Sequence, residues 1–214
     1  MSSTFPIDSG FLNDVYGLPQ YISVQRTLKP VGMEVDFAAV TVDADTLATV
    51  KTFLHVTHTT DDDLITGFIA SATRDIESFT GILLSQRAVT VFWKRIYNYA
   101  QLPYPPHVSV TSVTSILDDG TQTSLTKGVD YYLLGNKIYF LEFLGSAFSQ
   151  LKVVYLAGYG TNATDIPQSL RDAVTEQTQL YYKPENRNLV VDQNCGLIFQ
   201  AKALASRYIY YYEG

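Results

Sequence analysis

The spacing of hydrophobic positions along the chain changes three times, from irregular to helical, then to alternating, and finally back to helical. Residues 46–54 and 61–81 place apolar side chains every three to four positions, which predicts a short helix capped by Asp45 or Thr46 and a longer one ended by Gly81. One apolar face of the long helix persists for about five turns. It consists of Leu64, Ile65, Phe68, Ile69, Ala72, Ile76 and Phe79.

Between residues 87 and 157 the period becomes two, which is typical of strands. Turn signals at 118–120 (Asp-Asp-Gly) and 135–136 (Gly-Asn) predict hairpins between successive strands. The three prolines of residues 102–106 remove backbone donors and fix φ, so this segment is a loop or a sheet edge. We therefore expect a compact, mostly antiparallel β unit.

Helical spacing returns near Pro167, a residue that is well tolerated in a first helical turn. A final helix is predicted over residues 197–212, and its apolar positions cover more than one face. Such a helix should be buried on two sides, one of which could belong to another molecule. The interpretation that it only completes the chain's own core stays open.

Residues 1–45 read as an irregular N-terminal arm that is too aromatic for a solvated tail. One interpretation is a first strand with loops that packs on the protein's own core. The other is an arm that lies on a neighbouring subunit. The candidate contact residues are Phe5, Phe11, Tyr16 and Tyr21.

Together these segments predict the α+β class, with a helical bundle formed by the N- and C-terminal helices and an inserted antiparallel β subdomain. The expected divisions are an arm at 1–45, a first helical part at 46–86, the β insertion at 87–160 and a second helical part with the C-terminal helix at 161–214.

Composition points to a protein buried against other proteins. Charged residues make up 17% of the chain, against roughly 25% in an ordinary soluble domain, while tyrosine occurs 16 times. Tyrosine is enriched at protein interfaces, where Lys and Glu are depleted. The net charge of −6 argues against wrapping nucleic acid through phosphate contacts.

The sequence carries little that resembles a catalytic or cofactor site. No phosphate loop, dinucleotide fingerprint or nucleophile elbow occurs, and the single cysteine, Cys195, is expected to be buried and inert. We expect no enzyme, no cofactor and no metal. The lack of a signal peptide and of a long apolar run predicts a soluble protein of a reducing compartment with no membrane partner.

Two groups of residues suggest other sites. His55 and His58 precede an acidic triplet at 61–63 and could hold a metal, but capping of the following helix explains the triplet better. An aromatic platform for sugar or peptide could form in the β unit, although strand aromatics are usually core or cross-strand pairs. Its members would be Trp93, Tyr131, Tyr132 and Tyr139.

The order of several motifs resembles the head–tail connector, or head-completion adaptor, proteins of tailed phages. The resemblance covers about residues 46–183. It rests on Thr46-Leu-Ala-Thr-Val-Lys-Thr-Phe-Leu54, Asp61-Asp-Asp-Leu-Ile-Thr-Gly-Phe-Ile, Leu102-Pro-x-Pro-Pro106, Val110-Thr-Ser-Val-Thr114, Asp119-Gly, Asp130-Tyr-Tyr132, Val154-Tyr-Leu-Ala-Gly-Tyr-Gly160 and Ile166-Pro-Gln-Ser-Leu-Arg-Asp-Ala173.

This resemblance implies a non-enzymatic structural adaptor that forms a dodecameric ring, joins the portal protein of the head to tail or stopper proteins and continues the DNA channel. DNA would pass without sequence-specific binding. The protein would be made in the host cytoplasm and reside in the virion neck. Another neck or tail-completion protein is the nearest alternative.

The chain departs from the family pattern in two places: its first helix starts farther from the N-terminus, and Lys183-Pro184-Glu185 stands where the family carries an Arg-Glu-like pair. The longer arm and the tyrosine-rich end lie outside the resemblance, which suggests adaptation to particular partners. The candidate portal-docking residues are Tyr208, Tyr210, Tyr211 and Tyr212. We expect a chain lacking residues 197–214 to fold but to lose portal binding. Twelve copies at −6 each would total −72, a field that repels DNA phosphates from a channel wall.

Overall fold

A computed structural model describes residues 30–35, 43–94, 99–141, 148–182 and 191–212. In these ranges it contains four α-helices and two antiparallel sheets, which confirms the mixed α+β class. The residues predicted to form the inter-subunit arm, Phe5, Phe11, Tyr16 and Tyr21, lie outside the described residues.

The helices occupy the two ends of the described chain. They are α1 (Ala44–Leu54), α2 (Asp62–Thr80), α3 (Gln168–Tyr182) and α4 (Phe199–Ala205). Two short 3₁₀ turns, Ala163–Asp165 and Ser206–Tyr208, precede α3 and follow α4. Helix α2 packs on α3, and α3 packs on α4.

The ends of α1 and α2 follow ordinary capping chemistry, with one correction. The cap of α1 is Asp43 rather than Asp45 or Thr46, because the Asp43 side chain accepts a hydrogen bond from the Thr46 backbone N–H at 2.7 Å. Gly81 ends α2 as predicted. Its φ of 70° lies in the left-handed region that glycine adopts without strain.

The strands lie between α2 and α3, apart from the first. They are β1 (Gly32–Val35), β2 (Arg87–Trp93), β3 (Tyr99–Gln101), β4 (His107–Leu117), β5 (Gln122–Ser124), β6 (Tyr131–Leu134), β7 (Lys137–Phe140) and β8 (Phe148–Ala157). The larger sheet has the order β1-β2-β8-β4-β5 and the smaller one β3-β7-β6. Both predicted turns form, since Asp119-Gly120 joins β4 to β5 and Gly135-Asn136 joins β6 to β7.

Strand β8 is the centre of the larger sheet. It pairs with β2 over its last seven residues and with β4 along its length, where the register shifts three times. Such irregularities bend a strand and increase its twist. The proline segment before β4 is a loop with a cis bond between Pro105 and Pro106.

Apolar burial falls into two separate clusters. One is helical and gathers Ile65, Ile69 and Ile76 of α2 with Leu170 of α3. The other lies within the β unit and includes Trp93, Val153 and Tyr155. Adjacent residues divide between them, because Leu83 belongs to the β cluster and Leu84 to the helical cluster.

A buried charged pair marks the boundary between these clusters. Glu77 of α2 and Arg87 of β2 are each 3% exposed, and the Arg87 guanidinium donates to the Glu77 carboxylate. The same carboxylate oxygen accepts the Leu84 backbone N–H at 2.8 Å. Burial raises the pKa of Glu77, while Arg87 acts against that rise.

The C-terminal helix is shorter than predicted. Helix α4 ends at Ala205, and after the 3₁₀ turn residues 209–212 are neither helix nor strand. Gln177 of α3 fixes its start, because its side chain accepts the Ile198 N–H at 3.1 Å and donates to the Gly196 carbonyl at 3.2 Å. In the described part of the chain, no helix has the length and apolarity to cross a membrane.

Candidate interaction surfaces

Residues 209–212, which we call the C-terminal segment, run from the helices to the β unit. The Tyr210 N–H donates to the Thr80 carbonyl at the end of α2, at 2.7 Å. Its hydroxyl accepts hydrogen bonds from Gln101 Nε2 at 2.7 Å and Asn136 Nδ2 at 2.6 Å, and donates to the Leu102 carbonyl at 3.3 Å. Tyr210 therefore joins both halves of the molecule.

The four predicted docking tyrosines take different positions. Tyr208 packs against the helical cluster, and the Tyr212 hydroxyl donates to the Gln101 carbonyl at 3.3 Å. Burial raises the pKa of Tyr212. Tyr211, in contrast, is 78% exposed. Of the four, Tyr211 has the side chain that is available to another molecule.

The smaller sheet carries a row of tyrosines across its three strands. Tyr132, Tyr139 and Tyr99 are paired in register, which places them on one face. The rings of Tyr132 and Tyr139 stack with centroids 5.1 Å apart, and Lys137 Nζ lies 4.7 Å from the centroid of the Tyr99 ring. Leu134 is 64% exposed. We call Tyr132, Tyr139, Lys137 and Leu134 the outer face of the smaller sheet.

The interpretation of an aromatic platform is therefore wrong for two of its four members. Trp93 is 1% and Tyr131 is 5% exposed, and both lie in the β cluster. Alternation along the strand explains the division, since Tyr131 and Tyr132 point to opposite faces. Only Tyr132 and Tyr139 remain on the outer face.

The histidines and the acidic triplet have structural roles. His55 ends α1 with φ of 59°, while His58 Nε2 lies 3.9 Å from the Asp61 carboxylate. As expected for the triplet, Asp61 is the N-cap residue of α2 and Asp62 and Asp63 lie in its first turn, but the Asp61 side chain makes no capping hydrogen bond and accepts the Tyr182 hydroxyl. Asp62 pairs with Lys51 of α1. Among the described residues no group of three His, Cys, Asp or Glu could hold a metal ion.

Two further polar groups are packing elements of the core. His107 Nε2 lies 3.0 Å from the Pro103 carbonyl, and burial lowers the pKa of this histidine. The Tyr181 hydroxyl donates to Asp75, and burial together with this bond raises its pKa to about 12. Both groups hold neighbouring elements in place in their neutral forms.

A cleft of about 110 Å³ lies between α1, α3 and residues 160–166. Asp43 and Arg171 line its polar side and Ile69 its apolar side. Asp43 uses both carboxylate oxygens within the chain, one for Thr46 N–H and the other for Ala163 N–H at 2.8 Å. The cleft is thus a junction between the helices and the 160–166 segment.

Several exposed apolar side chains were not identified from the sequence. Leu64 of α2 is 52% exposed and Phe199 of α4 is 60% exposed. The spacing predicts Leu64 on the apolar face of α2, but the buried residue there is its neighbour Ile65. Consecutive helix residues point about 100° apart, so Leu64 lies at the edge of that face.

Comparison with known proteins identifies the family. The family model described as "Head completion protein" matches residues 45–199. No curated protein matches the chain significantly.

Three solved chains share the fold, each with 20% sequence identity. One is from "Neck of empty GTA particle computed with C6 symmetry", with a TM-score of 0.63, covering 85% of this chain and 96% of that one. A second is from "Virion of native gene transfer agent (GTA) particle", with a TM-score of 0.63 and coverage of 84% and 96%. The third, from "Neck of native GTA particle computed with C12 symmetry", has a TM-score of 0.58 and coverage of 86% and 96%.

Proposed function

The chain belongs to the head completion protein family, and from that premise we propose that it is a structural adaptor of the virion neck. In this proposal copies of the chain form a ring beneath the portal, connect the head to the tail and continue the DNA channel. The observation that carries it is the extent of the family match, because residues 45–199 include all but the first residue of α1, the whole of α2 and α3, and strands β2 to β8.

Ring formation draws support from one of the structural neighbours. That neighbour comes from a neck computed with C12 symmetry, and 96% of its chain is covered. A twelve-fold ring needs two different surfaces on each copy, one for each neighbour, because contacts around a cycle are head-to-tail. A chain with 17% charged residues and 16 tyrosines has the composition that such surfaces use.

Portal docking is assigned to Tyr211. Its ring is 78% exposed, and the flanking Tyr210 and Tyr212 hold the segment in place by hydrogen bonds to the β unit. A large aromatic side chain on an anchored segment is the type of residue that dominates binding energy at interfaces. Tail or stopper proteins would bind the opposite side of the ring.

The test is to add purified protein to DNA-filled heads that lack it and to image the portal vertex. We expect ring-shaped density below the portal and packaged DNA that resists nuclease. The Tyr211→Ala variant should bind these heads about 30-fold more weakly, the loss expected for a hot-spot residue.

The matched control is Phe199→Ala, which removes another exposed aromatic ring close to the C-terminus. It should bind like the wild type. If the wild-type protein leaves the portal vertex unoccupied, the adaptor function is wrong. If Tyr211→Ala binds normally, docking through this residue is wrong.

A further inference from the structure

The charges of this chain are divided unevenly between its two parts. Residues 87–157 contain six Lys or Arg and four Asp or Glu, a net charge of +2, whereas the whole chain carries −6. Residues 1–45 carry −4, and the helical parts, residues 46–86 and 161–214, contain seven Lys or Arg and eleven Asp or Glu, a net charge of −4. The β unit of one copy is therefore attracted to the helical part of the next.

The outer face of the smaller sheet is one place in the β unit where charge and apolar exposure coincide. Lys137 lies on β7, paired in register with Leu134 of β6, which is 64% exposed. Beside them Tyr132 is 42% exposed. Exposed aromatic and aliphatic side chains are typical of a protein interface, and a lysine at the edge of such a surface selects a partner of opposite charge.

The helical part offers a complementary surface at the first turn of α2. Leu64 is 52% exposed there, and the adjacent Asp63 is exposed as well. Leu64 and the Asp63 carboxylate complement the outer face of the smaller sheet. Its Leu134 and Tyr132 side chains are apolar like Leu64, and its Lys137 ammonium group is opposite in charge to Asp63. These two surfaces are the partners that the charge division suggests.

The fold keeps these surfaces apart within one chain. Tyr210 connects the end of α2 to the smaller sheet. Its N–H donates to the carbonyl of Thr80, the last residue of α2, and its hydroxyl accepts a hydrogen bond from Asn136, which precedes Lys137. The other end of this 19-residue helix lies about 27 Å away, at 1.5 Å per residue. Lys137 and Asp63 of one copy therefore cannot meet, but they can meet between two copies.

We propose that the outer face of the smaller sheet in one copy binds the first turn of α2 in the next copy. Lys137 faces Asp63, while Leu134 and Tyr132 cover Leu64. This inference rests on the proposed ring, and it names the contact from which the ring is built. The two surfaces differ, so the contact is head-to-tail, and repetition around an axis closes a ring.

Charge reversal on assembled necks tests the contact. Lys137→Glu and Asp63→Lys should each lower ring occupancy on DNA-filled heads at least about tenfold, because a like-charge pair replaces an attractive one. Combining Lys137→Glu with Asp63→Lys in one chain should restore occupancy, since every contact again has opposite charges. Lys127→Glu is the matched control: it makes the same change at an exposed position of the β unit outside this face and should assemble normally.

The interface is overturned if Lys137→Glu assembles like the wild type or if the double variant fails to recover. The first of these results leaves the adaptor function intact, because the wild-type ring still occupies the neck.

A disulfide measurement separates the interface from the function. Two variants are made in a Cys195→Ser background, one with Lys137→Cys and the other with Asp63→Cys. They are mixed and oxidised in two settings, bound to heads and free in solution at high concentration. The mixture should give cross-linked dimers, and neither variant alone should. If wild-type protein never occupies the neck, the adaptor function fails, and the solution experiment still decides the contact, because a mixture without cross-links overturns it.

Discussion

Asp43 is a single side chain that fixes two elements at once. One carboxylate oxygen caps α1 through Thr46 N–H, and the other accepts Ala163 N–H at the start of a 3₁₀ turn 120 residues later. Burial alone would raise its pKa, but the hydrogen bonds from Thr46 and Ala163 outweigh burial and lower the pKa below the ordinary 3.8. The charged form of Asp43 therefore stabilises the fold.

Replacing this residue by alanine should lower the free energy of unfolding by about 1–2 kcal/mol, the usual loss for a helix cap. Because the folded pKa is below the unfolded value, the contribution of Asp43 is complete above about pH 4 and disappears as the pH falls through the folded pKa. Urea unfolding of Asp43→Ala and wild type at pH 7 and pH 3 measures the difference at each pH. A gap that is equally large at pH 3 would contradict this assignment.

Gly158 shows what an element boundary requires of one residue. It lies where β8 leaves the sheet, with φ of 117°, and a Cβ atom there would be 2.4 Å from the Ser85 carbonyl oxygen. Its N–H also donates to the Pro106 carbonyl at 2.9 Å. The close approach of three backbone segments leaves room only for glycine.

Gly158→Ala should therefore destabilise the protein by at least about 3 kcal/mol, through backbone strain and the displacement of the Ser85 segment. Gly67→Ala is the control, and we expect it to change the free energy of unfolding in the opposite direction. Gly67 lies within α2, and a Cβ there would meet no atom within 4 Å, so alanine should stabilise by about 0.5–1 kcal/mol. Thermal unfolding of both variants gives the comparison, and equal shifts would refute the steric argument.

At the scale of elements, local chemistry was readable from the sequence. Gly81, the Asp119-Gly120 turn and the alternating strand positions depend on neighbours close in the chain, and these predictions are confirmed. The cap of α1 was misplaced because Asp43, Asp45 and Thr46 are equally suitable as isolated residues. The choice of Asp43 involves Ala163, a partner that no local pattern contains.

For the candidate surfaces, the sequence identified the tyrosines but not their directions. The predicted helix over 197–212 placed Tyr208 to Tyr212 around one cylinder, whereas the observed segment leaves α4 after Ala205. Hydrogen bonds from Gln101 and Asn136, more than 70 residues away, then fix Tyr210. Such long-range contacts decide which tyrosine stays exposed, and spacing alone does not contain them.

At the scale of the whole molecule, burial of the last helix argues against the expectation that a chain lacking residues 197–214 still folds. Leu197, Ile198, Ala201 and Ala205 are at most 1% exposed and belong to the helical cluster. Burial of each large side chain contributes about 1.5–3 kcal/mol, a large part of the 5–15 kcal/mol that stabilises a typical domain. Residues 197–205 therefore contribute four side chains to the helical core.

A chain that lacks residues 197–214 should lose cooperative thermal unfolding, because α2 and α3 lose the residues that cover them. A chain that lacks only residues 211–214 keeps these side chains and Tyr210, so it should unfold cooperatively while losing the docking residue Tyr211. Circular dichroism during heating distinguishes the two. Cooperative unfolding of the longer truncation would show that the core is complete without α4.

The buried pair of Glu77 and Arg87 has a consequence for how sequences in this family can diverge. Apolar packing forms one cluster on each side of the pair, so a change of volume in the helical cluster is absorbed there and need not be matched by a change among the strands. Only the few residues that cross the boundary must vary together. Helices adapted to one partner can therefore be recombined with strands adapted to another, provided that Glu77, Arg87 and the contacts of Tyr210 are inherited as a set.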